Sequence, residues 1–385
     1  MRILFCNFEY PPLGGGGGVI NALLAEELAN RHEVTVLTSQ GLGLPRREVV
    51  NGVRVERVPV FFRREQAAAN MPSMLAYLPM GAAHGLRLFR EQPFDIINTH
   101  FALPSGPVGS FLSHRTGTPN VLSVHGGDLY DPSKASSPHR HALLRLWIRH
   151  LLKDADQVVG QSANTIANVG KFYTREIEPR LIPLGIRRPA WAPADRKAYG
   201  FSDTDFLMVS VGRLVARKAM DQLVRMLKDL EDPAAHLLLI GSGPQEESLR
   251  RLASELGVEA RVHFLGFVSE EEKFGVLQMC DLFVSTSQHE GFGIVFLEAM
   301  ASGLPVICYD HGGQTDFLED GVTGHLLRLN DEATLRVRCR ELMHAPDALA
   351  RMGETNRRCV ERFYIENCAR EYEALFDDVI RRRKH

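Results

Sequence analysis

Short, uninterrupted apolar runs recur along this chain, separated by longer stretches in which apolar residues return every three or four positions. Arg2-Ile-Leu-Phe-Cys-Asn-Phe8 is the first run, and Val34–Thr38, Asp95–His100, Pro119–His125 and Gln157–Ser162 follow it. A run that is apolar on both faces is what a parallel strand covered by helices requires. Val19 to Ala29, between the first two runs, has helical periodicity. The pattern restarts at Phe206-Leu-Met-Val-Ser-Val-Gly212 and continues through His236–Ile240, Val262–Leu265, Leu282–Ser285 and Val306–Tyr309. Strand and helix alternating in this way predict a doubly wound parallel sheet, and the restart predicts a second one. The proline- and glycine-containing segment Ile182-Pro-Leu-Gly-Ile-Arg-Arg-Pro189 marks the division. A length of 385 residues suits two cores. The tail from about Asn367 reads as a helix ending in Arg381-Arg-Arg-Lys-His385.

Composition is that of a soluble globular protein, with 24% charged residues and a net charge of −2. Nothing in that balance is the footprint of a nucleic-acid binder. Residues 1–180 hold 19 Lys/Arg against 15 Asp/Glu, and residues 181–364 hold 21 against 27. The mildly basic first half leans toward an anionic acceptor or a membrane surface. Six scattered cysteines form no C-x-x-C and no zinc spacing. Cys6 and Cys308 sit in apolar runs, as buried small hydrophobes do in a reducing cytoplasm. Met1–Tyr10 is too short for a signal peptide and carries Glu9. The uncharged stretch Gln66–Leu86 has the length of a membrane span, but Gln66, Asn70, Pro72, Pro79 and His84 argue for a buried helix and loop. Leu144, Trp147, Ile148, Leu151 and Leu152 form one helical face opposite Arg145, Arg149 and Lys153. A core-facing helix is expected there, with a membrane-lying helix as the alternative.

The densest chemistry lies in Glu290-Gly-Phe-Gly-Ile-Val-Phe-Leu-Glu298. Gly291 and Gly293 leave backbone amides open before a helix expected from Ile294 to Ala301, closed by Gly303 and Pro305. Such a helix start attracts a phosphate or a polarised hydroxyl, and Glu298 can accept two hydrogen bonds from a vicinal diol. Gly212-Arg-Leu-Val-Ala-Arg-Lys218 follows a strand at the edge where ligands of such sheets bind, so Arg213 and Lys218 can reach a diphosphate. Gly241-Ser-Gly243-Pro244 and Leu265-Gly266-Phe267 end the next two strands. His125-Gly-Gly-Asp128 ends a strand of the first half; His125 can donate to a hydroxyl or phosphate, and Asp128 can cap the turn. Gly14–Gly18 fails the dinucleotide fingerprint because Val19 stands where its third glycine belongs, and the second strand ends Thr38-Ser39-Gln40 without an acidic residue. No phosphate-loop motif occurs. Ser162 reads as a strand-end or helix-capping residue. The triplets Asp154-Ala-Asp156 and Asp203-Thr-Asp205 precede strands and read as turns, and His139-Arg-His141 as no metal site.

Taken together these motifs resemble those of the retaining, nucleotide-sugar-dependent glycosyltransferases of family 4. Gly212–Lys218, Gly241–Pro244, Leu265–Phe267, Glu290–Glu298 and Gly312-Gly313-Gln-Thr-Asp316 carry the resemblance. Ala219 and Asp316 depart from it, standing where Gly and Glu are usual. The resemblance implies the α/β GT-B fold, two Rossmann-like doubly wound domains facing across a cleft. Residues 1–183 would bind the acceptor, residues 184–366 the nucleotide-sugar, and the helix from about 367 to 385 would pack back on the first domain. It implies His125, Arg213, Lys218 and Glu290 as catalytic residues. It places Gly16, Gly17, Gly212, Gly243, Leu265, Gly266, Gly291, Phe292, Gly293, Ile294, Val295 and Glu298 around the donor. No metal and no cofactor are expected. The expected partners are a UDP- or GDP-linked hexose and a glycan or lipid-linked acceptor, with weak membrane association at the inner face of the cytoplasmic membrane and no nucleic acid. Base, sugar and acceptor are not legible. A sugar-nucleotide epimerase of the same fold and an inactive nucleotide-sugar-binding protein remain the alternatives.

Overall fold

The structure is a computed structural model that describes residues 1–61, 63 and 70–384. It divides into two compact units, Met1–Arg187 together with the segment from Phe363 onward, and Arg188–Arg362.

The first unit is an eight-stranded sheet built from β1 (Arg2–Cys6), β2 (Glu33–Ser39), β3 (Arg47–Val50), β4 (Val53–Val58), β5 (Ile96–His100), β6 (Asn120–Val124), β7 (Gln157–Gly160) and β8 (Arg180–Leu181). Its strand order is β3-β4-β2-β1-β5-β6-β7-β8. Only β3 runs antiparallel to its neighbour. Between the strands lie α1 (Gly16–Ala29), α2 (Met71–Glu91), α3 (Ser105–Thr116), α4 (Ala142–Asp154) and α5 (Ala163–Phe172). The β3–β4 hairpin is absent from the run pattern drawn above. Its turn is Asn51-Gly52, both at positive φ (48° and 82°), the backbone that a two-residue hairpin loop demands.

The second unit is a six-stranded parallel sheet of β9 (Phe206–Val211), β10 (Ala235–Ile240), β11 (Val262–Gly266), β12 (Leu282–Ser285), β13 (Val306–Tyr309) and β14 (Gly324–Leu327). Its helices are α6 (Met220–Leu230), α7 (Glu246–Glu255), α8 (Glu270–Met279), α9 (Ile294–Ala301), α10 (Glu332–Met343) and α11 (Pro346–Val360). The final helix, α12 (Ile365–Lys384), belongs to the first unit. Its Tyr372, Leu375, Phe376 and Val379 share a core with Ile3, Phe5, Val36 and Val159 and with α1. The opposite face of that sheet buries Leu4, Cys6 and Ile97 under α2 and α3.

Strand order reverses between β1 and β5 in the first sheet, and between β9 and β12 in the second. The crevice at such a reversal, outside the carboxyl ends of the strands, is where ligands of doubly wound sheets bind. The loops after β9 and β12 carry Lys218 and Glu290.

Most of the uncharged stretch Gln66–Leu86 is α2, which buries Tyr77, Gly81, Gly85 and Leu88; Gln66–Ala69 lie outside the described residues. Among the described residues no helix is long and apolar enough to cross a membrane. The expected core face of α4 is only partly buried. Ile148, Leu151 and Leu152 are inside, but Trp147 is 38% exposed, and Leu143 and Leu146 stand in solvent at 82% and 61%. Leu144 is half-buried with Ile148, Leu151 and Leu152, whereas Leu143 and Leu146 project from the side of the helix turned away from that face.

Candidate active site

In the second unit, β9 is followed by Gly212 at φ 152°. The chain then makes a 3-10 turn, Ala216–Lys218, and enters α6 through Ala219. Ala219 sits in the left-handed region at φ 45°, ψ 40°. A glycine would take that backbone without strain, which explains why Gly is usual here and shows that this chain tolerates the departure. The turn drops Lys218 over Gly212, whose added Cβ would lie 3.0 Å from Lys218 Cε. Lys218 is buried and its Nζ donates to Oε1 of Glu290. Arg217 reaches the other oxygen, with Nη1 3.5 Å from Oε2, and also donates to the His289 carbonyl and to Ser287 Oγ. Burial would raise the carboxyl pKa of Glu290, but the charges of Lys218 and Arg217 overcome it and pull the group down to about 2. The loop is pinned by the Gln288 amide on the Arg217 carbonyl at 2.9 Å, and by Thr286 Oγ1 on the Ala219 carbonyl at 2.8 Å.

Beyond Glu290 the chain crosses Gly312 and Gly313 at backbone contact distance. An added Cβ on Gly313 would meet the Gly291 carbonyl at 2.1 Å, and the Gly313 amide donates to the Glu290 carbonyl at 2.9 Å. Phe292 is buried against Phe317, ring centroids 5.3 Å apart. Gly293, at φ 91°, starts α9. Among the described residues the amides of Gly293, Ile294 and Val295 have no hydrogen-bond partner, as the first turn of a helix leaves them. Inside α9, Glu298 is buried and accepts from Lys273 of α8 at 2.7 Å; Lys273 also contacts Glu270 at 2.7 Å. Burial raises the carboxyl pKa of Glu298 against the pull of Lys273.

The structure therefore gathers Lys218, Glu290 and the start of α9, with Glu298 one turn further along. Arg213 stands exposed on the same loop. Arg217 and Lys273 were not singled out by the sequence. Arg217 is aimed by the 3-10 turn and Lys273 comes from a separate helix, so neither has a motif of its own. Gly243 is pressed against Leu214, whose carbonyl would lie 2.4 Å from an added Cβ; its requirement for glycine is met by that packing. Leu265 and Gly266 end β11, and the Gly266 carbonyl already accepts from the Gly241 amide at 2.7 Å.

In the first unit, Gly16 and Gly17 are the opening residues of α1. Space beside Gly16 is open, whereas a Cβ on Gly17 would lie 2.6 Å from Phe101 Cζ. Phe101, itself at φ 72°, stacks on His125 with centroids 4.1 Å apart. Asp128 holds the His125 turn by accepting from the amides of His125 at 2.9 Å and Ala102 at 2.7 Å. Ser162 caps α5 through the Thr165 amide. The aspartate triplets are turn and strand-entry residues: Asp156 accepts from the Asn120 amide, and Asp205 from the Ser202 amide. Among the described residues no three His, Cys, Asp or Glu side chains gather as a metal-binding group.

Residues 192–359 match the family described as glycosyl transferases group 1, and residues 15–185 match the glycosyl transferase 4-like domain. The chain is 33% identical to an uncharacterized glycosyltransferase of Methanocaldococcus jannaschii over 84% of each chain. The solved sucrose-phosphate synthase of Thermosynechococcus elongatus superposes with a TM-score of 0.86 at 24% identity, covering 98% of this chain and 99% of that one. Anabaena HepE, solved in complex with UDP-glucose, superposes with a TM-score of 0.79 at 21% identity, covering 98% and 100%. Fold and site define a glycosyltransferase of the GT-B class. Within that class the chain belongs to family 4, the glycosyl transferases group 1.

Proposed function

We propose that this glycosyltransferase moves a hexose from a UDP- or GDP-linked donor to a hydroxyl of a glycan, glycolipid or related cell-surface polysaccharide, with retention at the anomeric carbon and without a metal ion. The observation that supports it most is the buried Lys218–Glu290 pair beside the open amides of Gly293, Ile294 and Val295. A bound diphosphate would replace Glu290 as the partner of Lys218. The freed carboxylate would then accept from a sugar hydroxyl, with the Gly291–Val295 segment around the sugar. Glu298 would take the ribose diol in exchange for Lys273, and the strand end at Leu265 and Gly266 would face the base. As the bond from the anomeric carbon to the β-phosphate oxygen breaks, its electron pair stays on that oxygen. Lys218 and Arg213 stabilise the charge. The acceptor oxygen bonds to the anomeric carbon from the same face, and its proton passes to the leaving phosphate. His125 donates a hydrogen bond to a hydroxyl or phosphate oxygen of the donor.

The test is incubation with UDP- and GDP-hexoses and a panel of acceptors in EDTA, reading the anomeric configuration of the product by NMR. Transfer with the donor configuration kept is expected. An inverted product, or a trapped covalent glycosyl-enzyme, would rule the mechanism out. Glu298→Ala should weaken nucleotide binding roughly 10- to 100-fold, the worth of hydrogen bonds to a charged group, and leave kcat at saturating donor nearly unchanged.

Peripheral association with the cytoplasmic face of a membrane is supported by α4. Its solvent side presents Leu143, Leu146 and Trp147 among Arg140, Arg145 and Arg149, all exposed. Apolar side chains ringed by cations suit an anionic lipid surface. Sedimentation with phosphatidylglycerol-containing vesicles should carry the protein down, and Leu146→Glu/Trp147→Glu should leave it in solution. Equal partition of both proteins would remove the reading.

A further inference from the structure

The transfer reading gives no work to a set of polar side chains sealed inside the first unit: Asn98, His100, Ser123, Gln161 and Tyr372, each at most 1% exposed. Strand register explains how they meet. His100 of β5 lies beside Ser123 of β6, and Val124 of β6 beside Gly160 of β7. One step further on, His125 and Gln161 leave the ends of neighbouring strands side by side. Alternation then puts Asn98, His100, Ser123, His125 and Gln161 on a single face of the sheet, the face that α12 covers with Tyr372.

Their hydrogen bonds form one chain with a direction. Tyr372 Oη contacts Ser123 Oγ at 2.9 Å, and Ser123 Oγ donates to Asn98 Oδ1 at 3.5 Å. The Asn98 amide nitrogen, which can only donate, lies 2.9 Å from His100 Nε2. His100 Nε2 is therefore an acceptor, and the neutral ring carries its proton on Nδ1. That Nδ1 lies 3.0 Å from His125 Nε2, and the Gln161 amide nitrogen, a second donor, lies 3.1 Å from the same atom. The two donors share the single lone pair of His125 Nε2, which is therefore an acceptor. Its own proton must be on Nδ1, the ring nitrogen turned away from both donors. Phe101 fixes the ring plane from one side, and Phe5 stacks on His100 with centroids 5.3 Å apart.

We propose that His100 is a positioning residue for His125: with Asn98 and Gln161 behind it, it locks His125 as the neutral Nδ1–H tautomer, so that the enzyme presents a fixed N–H donor to its substrate. The substrate-facing half of this statement rests on the role given to His125 above; the tautomer does not. Burial and the adjoining His100 hold the His125 pKa well below the ordinary histidine value, which keeps the ring neutral through the working range. A neutral donor of fixed direction suits a partner that must bind a hydroxyl or phosphate without taking its proton.

The experiment is two-bond proton–nitrogen NMR on protein carrying nitrogen-15 histidine, the His125 signals assigned by their loss in His125→Gln. The wild-type protein is expected to show His125 Nδ1 protonated and Nε2 bare, unchanged between pH 6 and 8. His100→Phe keeps the stack on Phe5 and removes the donor. It should turn the His125 signals into those of a tautomer mixture and lower kcat on the order of 10-fold, with the KM for donor little moved. His100→Gln, which can donate again, should restore part of both. A protonated Nε2 in the wild-type protein, or a His125 tautomer untouched by His100→Phe, overturns the proposal. The wild-type spectrum alone decides the tautomer if His100→Phe does not fold. A locked tautomer in a protein that transfers no sugar would instead count against the transferase reading.

Discussion

The polar centre of the second unit is made of charges, and that of the first of neutral groups. Around Glu290, two cations face one carboxylate, and their attraction exceeds the burial that opposes it. Around His125, two imidazoles, two amides, a serine and a tyrosine pass hydrogen bonds along a line with no charge in it. On the proposed function the difference matches what each centre would meet. A departing diphosphate carries charge that fixed cations can stabilise. A hydroxyl or phosphate oxygen that only accepts would ask His125 for direction, which a buried neutral chain can supply.

The largest effect that would break this contrast is in the charged centre. Lys218→Ala should lower kcat on the order of 10²-fold or more, as expected for a lost leaving-group stabiliser. It should also lower the melting temperature, because the buried Glu290 carboxylate loses its nearer cation and keeps the longer contact to Arg217. Steady-state kinetics and calorimetry read both, and near-normal turnover would refute the assignment.

Acid should separate the two units. Burial holds His100 at about 3 against an ordinary 6.5, and His125 is depressed for the same reason. For a depressed histidine the unfolded chain takes up the proton first. The stability present at neutral pH is therefore lost as pH falls below 6.5, at about 1.4 kcal/mol per pH unit for each ring. Asp128 opposes this in part. Burial raises it to about 6, so its contribution grows as pH falls from about 6 toward 3.8. Glu290, depressed from 4.5 to about 2, holds its full contribution above pH 4.5 and loses it only below. Hydrogen exchange followed peptide by peptide should find the β5–β7 region of the first unit loosening between pH 6.5 and 4.5 while the Arg217–Lys218 and Glu290 loops of the second hold. Simultaneous loosening would contradict the contrast.

How much of this was legible in the chain differs between the two centres for a physical reason. Glu290, Glu298, Gly293 and Lys218 lie in two short segments whose turns and helix starts are local, so their spacing together with the family resemblance picked them out. The chain at His125 is assembled from the ends of β5, β6 and β7 and from Tyr372, which are far apart in sequence. Asn98 and His100 looked only like the end of an apolar strand, and no spacing connects them to Gln161. The Asn51-Gly52 hairpin is a local signal, but β3 is four residues long and half exposed, so no apolar run marks it. The exposure of Trp147 was not available, because periodicity gives a helix its faces but does not say how far a neighbour covers the edge of one.

The smallest expected effect sharpens the same point. Ala219→Gly relieves a left-handed backbone and should stabilise the second unit by about 1 kcal/mol, raising its melting temperature by a few degrees with kcat little changed. A fall in melting temperature would mean that the methyl group contributes more by packing than its backbone strain removes.

The most direct test of the donor site is calorimetric titration with UDP, GDP and ADP in EDTA, repeated on Lys218→Ala. One nucleoside diphosphate should bind the unaltered protein tightly, and its affinity should fall roughly 10- to 100-fold in the variant, as the loss of a charged hydrogen-bond partner dictates. Binding that requires a metal, that is indifferent to Lys218, or that is absent for every nucleotide would contradict the account.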